Sequence, residues 1–227
     1  MQEKPRYYEK SQYIETLNGN KVSKNSMLCG IMNIRLHGKT IIRPSVIIRG
    51  DLANVNIGRL TIISEGTVIR PSYKKFKGAI MYLPLNIGDH VVVGEGSVIS
   101  AASIGSYVQI GKNCVISKRC ILKDCCVIPD DTILAPDTVV PPFTSYGGNP
   151  GVYQEDLPDS FEQYQKEYTT LLYENFIPNP TPSIPTTSST LKLLPTQTSP
   201  ILTTSRTTTP ISPLSPGNTS PPIPSLK

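Results

Sequence analysis

The sequence predicts an all-β fold, a parallel β-helix of hexapeptide repeats followed by one packed α-helix and a disordered tail. Three observations carry that prediction. One six-residue pattern runs seven times without a gap over residues 104–145, opened by Ile104, Ile110, Ile116, Leu122, Ile128, Leu134 and Val140. A small or β-branched residue stands four places after each opener, at Val108, Cys114, Cys120, Cys126, Thr132, Thr138 and Thr144. The period matches neither the 3.6 of an α-helix nor the 2 of a single strand, but it is the signature of short strands joined by tight corners and wound into a stack. Third, Trp is absent and aromatics make up only 7% of the chain, as suits a core filled by Ile and Val.

Each unit has a physical reading. The openers point inward and stack on their equivalents in neighbouring coils, and burying each contributes roughly 1.5–3 kcal/mol. The position four later faces inward near a corner, where only a small side chain fits. Gly105 and Gly111 directly follow openers, where a bend tolerates glycine best. Each strand pairs with the coil above and below, so open edges are confined to the ends of the stack.

Composition narrows the function classes. The chain has 227 residues and a net charge of +5. Of its 22 bases, Lys192, Arg206 and Lys227 fall in the acid-free last fifty residues, leaving 19 bases against 17 acids elsewhere. That balance is no nucleic-acid footprint. No apolar run of eighteen residues and no leader is present, so neither membrane insertion nor secretion is expected. The five cysteines, Cys29, Cys114, Cys120, Cys125 and Cys126, form no CxxC pair. Three of them occupy successive inward small positions, on three different sides of a coil, and read as buried reduced thiols in a cytosolic protein.

Taken in order, residues 1–26 read as an N-terminal arm with a hairpin-like strand pair around Asn18-Gly19-Asn20. The β-helix is expected over 27–151. Ile34, Ile42 and Ile48 are the first inward candidates, with Val46 and Leu52 as small positions after the last two. The register is clean through Ile57, Ile63 and Ile69, then breaks at the basic segment 70–78, which holds Tyr73, Lys74, Lys75, Phe76 and Lys77. Ile69 and Ile87 are eighteen apart, so the segment is either an irregular coil or a projecting loop. Order resumes at Ile87, Val93 and Ile99, and the step to Ile104 is one residue short. Tyr146-Gly-Gly-Asn-Pro-Gly151 ends the winding.

A helix is expected within 152–177. Asp159 is its candidate N-cap, with Glu162 three residues on. Phe161, Tyr164, Tyr168, Leu171, Leu172 and Phe176 form its apolar stripe, which is read as lying along the outside of the solenoid. Residues 178–227 contain twelve prolines among many Ser and Thr, a composition expected to be disordered. Thr181, Ser199, Thr209, Ser212, Ser215 and Ser220 each precede a proline, and Pro213–Pro216 has PxxP spacing.

The segments Ile48-Ile-Arg-Gly-Asp, Ile57-Gly-Arg and Ile87-Gly-Asp, the hexads and the Gly-Asn-Pro-Gly ending resemble the γ-class carbonic anhydrase superfamily. The resemblance implies a left-handed winding with about three hexads per coil. In that superfamily three histidines hold zinc; the matching positions here are Arg70, Glu95 and Ser100, so no metal or cofactor is expected. Acyl transfer, the other chemistry of this fold, needs a histidine base, and only His37 and His90 are present. A β-helical enzyme, hydratase or hexapeptide acyltransferase, is thus the alternative reading. Arg49 and Asp51 are assigned structural polar contacts by the same resemblance.

Within that superfamily, Tyr13-Ile-Glu-Thr, Arg49-Gly-Asp-Leu-Ala-Asn-Val, Lys74-Lys-Phe, Gly111-Lys-Asn-Cys-Val-Ile, Leu122-Lys-Asp-Cys-Cys and Thr138-Val-Val-Pro-Pro-Phe resemble the dynactin subunit 5 family over roughly residues 10–176. The resemblance implies a non-catalytic subunit of dynactin's pointed-end complex in the cytoplasm and cytoskeleton, supporting dynein-dependent microtubule transport by binding cargo and adaptors. The implied partners are dynactin subunit 6 (its β-helical paralogue), dynactin subunit 4, the pointed-end actin-related protein and dynein adaptors. Tyr73, Lys74, Lys75, Phe76 and Lys77 are the candidate contact for an acidic partner.

Overall fold

Consecutive hexads turn onto three flat faces, so every third hexad stacks on its predecessor. Ile104 pairs with Leu122 and Leu122 with Val140 on one face. Ile110 pairs with Ile128 and Ile116 with Leu134 on the other two, a register of eighteen residues per coil. The computed structural model describes residues 4–180 of the chain. The proline-directed and PxxP sites expected beyond residue 180 lie outside the described residues.

Face 1 stacks Lys21–Ser23, Ile41–Ile42, Ile62–Ile63, Val92–Val93, Gln109–Ile110 and Val127–Ile128. Face 2 stacks Met27–Cys29, Ile47–Arg49, Val68–Ile69, Val98–Ile99, Val115–Ile116 and Ile133–Leu134. Face 3 stacks Ile34–Leu36, Val55–Ile57, Leu85–Ile87, Ser103–Ile104, Ile121–Leu122 and Val139–Val140. The result is a parallel β-solenoid of six coils, with the openers fully or almost fully buried in one continuous core except Leu28 and Leu36 of the first coil, which are half-buried against it.

From Ile104 onward the corners share one construction. Three residues after each opener the backbone enters the left-handed region, at Tyr107 (φ 59°), Asn113 (54°), Arg119 (63°), Cys125 (56°), Asp131 (59°) and Asp137 (64°). Each non-glycine residue there costs about 1–2 kcal/mol, a cost the stacked hydrogen-bond ladder and the core offset. The glycines that follow openers do a different job from the one expected. They do not have positive φ; instead a Cβ on Gly111 would meet Asp130 Oδ1 at 2.3 Å and the Asp130 backbone nitrogen at 2.6 Å. Gly88 and Gly94 are pressed in the same way against Gly105 and Gly111 of the next coil. That closeness lets a side chain of one coil accept from the backbone of another: Lys112 N donates to Asp130 Oδ1 and Ser106 N to Asp124 Oδ1, each at 2.7 Å.

The inward small position is a hydrogen-bonding station. Thr61 and Thr67 donate from Oγ1 to Gly88 O and Gly94 O, and Ser97 Oγ donates to Gly111 O at 2.8 Å. Cys114, Cys120 and Cys126 repeat the contact, donating from Sγ to Pro129 O, Ala135 O and Pro141 O at 3.0, 3.1 and 3.0 Å. They sit beside faces 2, 3 and 1 in turn and are unpaired thiols.

The irregularities of the register all fall at the corner between faces 2 and 3, and one expected assignment changes there. Ile34 packs against the core as expected, paired with Val55, while Leu36 stacks on Ile57. Val55, not Leu52, takes the inward small position and is fully buried, because extra residues inserted after Arg49 carry Leu52 into the corner. In the third coil the insert does not form a coil of its own. It is an antiparallel hairpin, Tyr73–Phe76 paired with Ala79–Tyr82, turning on Lys77 (φ 47°) and Gly78 (φ 83°). In the next coil the shortened corner carries only Ala101 and Ala102 between Ser100 and Ser103. The hairpin root therefore reaches one coil further, where Arg119 N donates to Ser72 Oγ at 2.9 Å.

Hairpins close both ends of face 1. Tyr13–Glu15 pairs antiparallel with Lys21–Ser23, which itself stacks on Ile41–Ile42, so the winding starts before residue 27. Thr144–Gly148 folds back on Gly151–Asp156 at the other end. The helix α1 spans Phe161–Glu174, and Ser160 rather than Asp159 stands at its N-cap, without a side-chain cap bond. Its buried face is Phe161, Gln165 and Thr169, whereas Tyr164 of the expected stripe is 42% exposed. The strand Phe176–Pro178 follows and pairs in parallel with Arg6–Tyr8, so ordered structure continues through Pro178, at which the tail was expected to begin. Tyr8 and Phe176 stack at 4.5 Å and cover the outward Ile41 and Ile62 of face 1.

Candidate interaction surface and histidine positions

The hairpin projects from the 2–3 corner, which also exposes Ile31 and Met32 in the first coil. Cross-strand neighbours share a side of a two-stranded sheet, so Tyr73, Tyr82, Lys75 and Ile80 form one side and Lys74, Met81, Phe76 and Ala79 the other. Phe76, Ile80, Met81 and Tyr82 are 55, 56, 55 and 37% exposed. Single exposed apolar residues are ordinary; here four share one two-stranded projection, two on each side. Lys74, Lys75 and Lys77 surround them without a carboxylate on the hairpin itself.

The root is held in a fixed pose. Arg119 donates to Tyr73 O at 3.4 Å and pairs through its guanidinium with Asp137. Lys118 Nζ lies 5.2 Å from the Tyr73 ring centroid, and Tyr73 and Tyr82 meet edge to face at 6.0 Å. All five residues expected at this surface, Tyr73 to Lys77, are thus on one element. Sequence reasoning missed its returning strand, Ala79–Tyr82. The signal was the Lys77-Gly78 pair between two aromatic-flanked runs, since a type I′ hairpin turn needs positive φ at both central positions and glycine supplies it readily.

Arg49 and Asp51 lie at the same corner and pair bidentately, with both N–O distances 2.7 Å. The pairing holds the Asp51 carboxyl below and the Arg49 guanidinium above their usual pKa ranges. Gly50 between them accepts from Asn33 Nδ2 at 2.9 Å, which stitches the first two inserts together.

The three positions matching family zinc ligands do not converge within the chain. Arg70 and Ser100 are neighbours across coils at the 2–3 corner, following the paired Ile69 and Ile99. Glu95 is at the 1–2 corner, paired with Lys112 at 3.2 Å. Among the described residues, no group of three or more His, Cys, Asp and Glu side chains is placed to hold a metal ion.

His90, a candidate base by residue type, lies beneath α1. Its Nδ1 is 2.7 Å from Thr169 Oγ1 and its ring stacks on Tyr107 at 5.2 Å. Gln165 Nε2 donates to His90 O at 3.4 Å. Burial lowers the His90 pKa from its ordinary value, with Asp89 raising it and Lys166 and Arg59 lowering it further. His37 is exposed at the equivalent corner of the first coil, so the two histidines do not form a pair. Burial likewise raises the Cys125 and Cys126 thiols to about 11 and about 12, which keeps both protonated and unreactive at neutral pH.

Known proteins match on two levels. A hexapeptide transferase family protein from Anaplasma phagocytophilum superposes with a TM-score of 0.50 at 17% identity, covering 68% of this chain and 89% of its own. An N-acyltransferase, AntD from Bacillus cereus in complex with dTDP and coenzyme A, superposes with a TM-score of 0.54 at 11% identity, covering 66% and 87%. At such identity they share the fold alone. Dynactin subunit 5 of Dictyostelium discoideum is 74% identical over 198 residues, which is 87% of this chain and all of that protein. The sequence pattern of the family described as Dynactin subunit 5 matches residues 1–181, so the described solenoid, hairpin and helix all lie within the match, and the chain belongs to the dynactin subunit 5 family.

Proposed function

We propose that this chain is a non-catalytic subunit of dynactin's pointed-end complex, supporting dynein-dependent microtubule transport through cargo and adaptor binding. Family membership over residues 1–181 is the observation that carries the reading. The geometry is compatible with it: a solenoid is rigid along its length, and the histidine best placed for base chemistry is engaged by α1. In this reading the chain sits in the cytoplasm on the cytoskeletal assembly, beside dynactin subunit 6, dynactin subunit 4 and the pointed-end actin-related protein, with dynein adaptors as further partners. Among the described residues no helix is long and apolar enough to cross a membrane.

Residues Tyr73–Lys77 are proposed as the contact for an acidic partner, because three lysines and exposed apolar side chains share one fixed projection. Arg49 and Asp51 hold the neighbouring inserts of the same corner. The experiment is affinity isolation of the tagged full chain from its own cells, beside a Lys74→Glu, Lys75→Glu, Lys77→Glu variant, with mass spectrometry of the partners. Wild type should bring down dynactin and dynein components, and the variant should lose at least one partner several-fold while keeping its melting temperature. A wild-type protein that returns no cytoskeletal partner, or that carries measurable acyltransferase turnover, would overturn the reading.

A further inference from the structure

The three faces of the solenoid are chemically unequal, and the inequality points to a second docking surface. Face 3 presents Arg35, Asn56, Asn86 and Ser103 outward along its first four coils, with Asn56 Nδ2 donating to Asn86 Oδ1 at 2.7 Å. Face 1 presents Ile41 and Ile62, both covered by the chain's own Tyr8 and Phe176. Face 2 is aliphatic at every rung: Met27, Ile47, Val68, Val98, Val115 and Ile133 stand outward in one unbroken register. Each remains solvent-accessible, Met27 to 59%.

The shape of this ladder selects its occupant. Its rungs are strand-spaced, so six rungs make a straight stripe about 24 Å long. Small residues flank its middle and last rungs, Gly66, Gly96, Ser100, Ser117 and Ala135, while Arg49 and Arg70 flank the second and third on the 2–3 side. A surface with no groove suits another flat face better than the knobs of a helix, and sheet faces pack in aligned fashion about 10 Å apart. Charge then fixes orientation. The corner between faces 2 and 3 carries Arg70, Lys118 and the hairpin lysines Lys74, Lys75 and Lys77 beyond the Arg49–Asp51 and Arg119–Asp137 pairs; the corner between faces 1 and 2 carries Glu65, Glu95, Asp130 and Asp131 against Lys24, Arg43 and Lys112. Size argues against a second copy as the occupant. A stripe this narrow buries on the order of a few hundred Å² per partner, short of the roughly 800 Å² per partner of a stable free-standing complex.

We infer that face 2 docks the flat aliphatic β-sheet face of a different protein, one whose carboxylate-bearing edge lies against the basic 2–3 corner and which is held in place by further contacts within a larger assembly. The inference rests on the assembly reading above, but it assigns a different surface from the hairpin.

The test uses the full chain in its own cells, with a photo-reactive benzoylphenylalanine at Val98 or Val115, or at Asn86 of face 3 as control, followed by isolation and sequencing of crosslinked peptides. The expected result is a crosslink from both face-2 positions, absent from the control, to a strand of one other protein with acidic residues nearby. A Val98→Lys, Val115→Lys variant should lose that same protein at least tenfold while melting within a few degrees of wild type. Purified wild-type chain should be monomeric by light scattering. Crosslinks to a second copy, to an α-helix, or to nothing while the assembly still co-purifies would overturn the inference and leave the assembly reading standing. Loss of all partners from wild type would instead overturn the assembly reading.

Discussion

Replacing Gly111 by alanine tests the packing logic of the solenoid. The new Cβ would sit 2.3 Å from Asp130 Oδ1, 2.6 Å from Asp130 N and 2.8 Å from Pro129 C. Two of those three atoms are backbone, so turning a side chain away does not relieve the contact. The coils must part locally by about 0.5–1 Å, which costs roughly 1–3 kcal/mol as overpacking. The same movement stretches the Gly111 N to Ile128 O bond at 2.7 Å and the Lys112 N to Asp130 Oδ1 bond at 2.7 Å, each contributing about 0.5–1.5 kcal/mol. The expected destabilisation is about 2–4 kcal/mol, or a fall in Tm on the order of 5–15 °C for a domain of this size. Gly66→Ala is the control: its Cβ would have only Gly96 atoms at 3.8 Å, but its φ is +70°, so it costs about 1–2 kcal/mol of backbone strain alone. Differential scanning calorimetry of both variants decides. If Gly66→Ala melts lower than Gly111→Ala, the glycines after the openers serve backbone conformation and not coil spacing, and the account is wrong.

Other outcomes follow from the same geometry. Ser45 is exposed with φ 58°, so Ser45→Val should lose about 1–2 kcal/mol by urea titration although it breaks no listed core contact. The His90 pKa is lowered in the folded state, so the unfolded chain binds more protons as pH falls below the ordinary value of about 6.5. Stability from neutral His90 is complete above that pH and declines below it until the lowered folded pKa is passed; the fall in Tm between pH 7 and pH 5 should be smaller in His90→Gln than in wild type. Alkylation of the native chain should modify Cys29 and spare Cys114, Cys120, Cys125 and Cys126, which are buried; all five should react in denaturant, as read by peptide mass spectrometry.

Much of this molecule was legible because a six-residue period leaves little freedom: from Ile104 to Val140 each opener is buried where the pattern puts it. The failures cluster where spacing changes. Val55 displaced Leu52, and Leu36 joined Ile34 at the core, because inserts at one corner shift the phase, and periodicity cannot say on which side of an insert the register resumes. The glycine role was misread because close approach between coils is a property of the stack, invisible in one hexad. The helix turned its Gln165–Thr169 side to the solenoid because His90 offers polar partners there, which an apolar stripe does not register. At the candidate contact surface, Tyr73–Lys77 was visible as a basic interruption, while Ile80, Met81 and Tyr82 needed the strand pairing to place them beside it. The aliphatic ladder of face 2 likewise appears only once stacking aligns residues from six coils.

The central claim, that this chain works as a fixed subunit of dynactin and not as an enzyme, is tested most directly by a single-particle reconstruction of the assembly isolated through the tagged full chain. The account predicts a six-coil prism at one end of an actin-related filament, with other subunits against both the Tyr73–Tyr82 hairpin and face 2. A chain recovered only as a free homo-oligomer, with no filament and no second subunit in the particles, would contradict it.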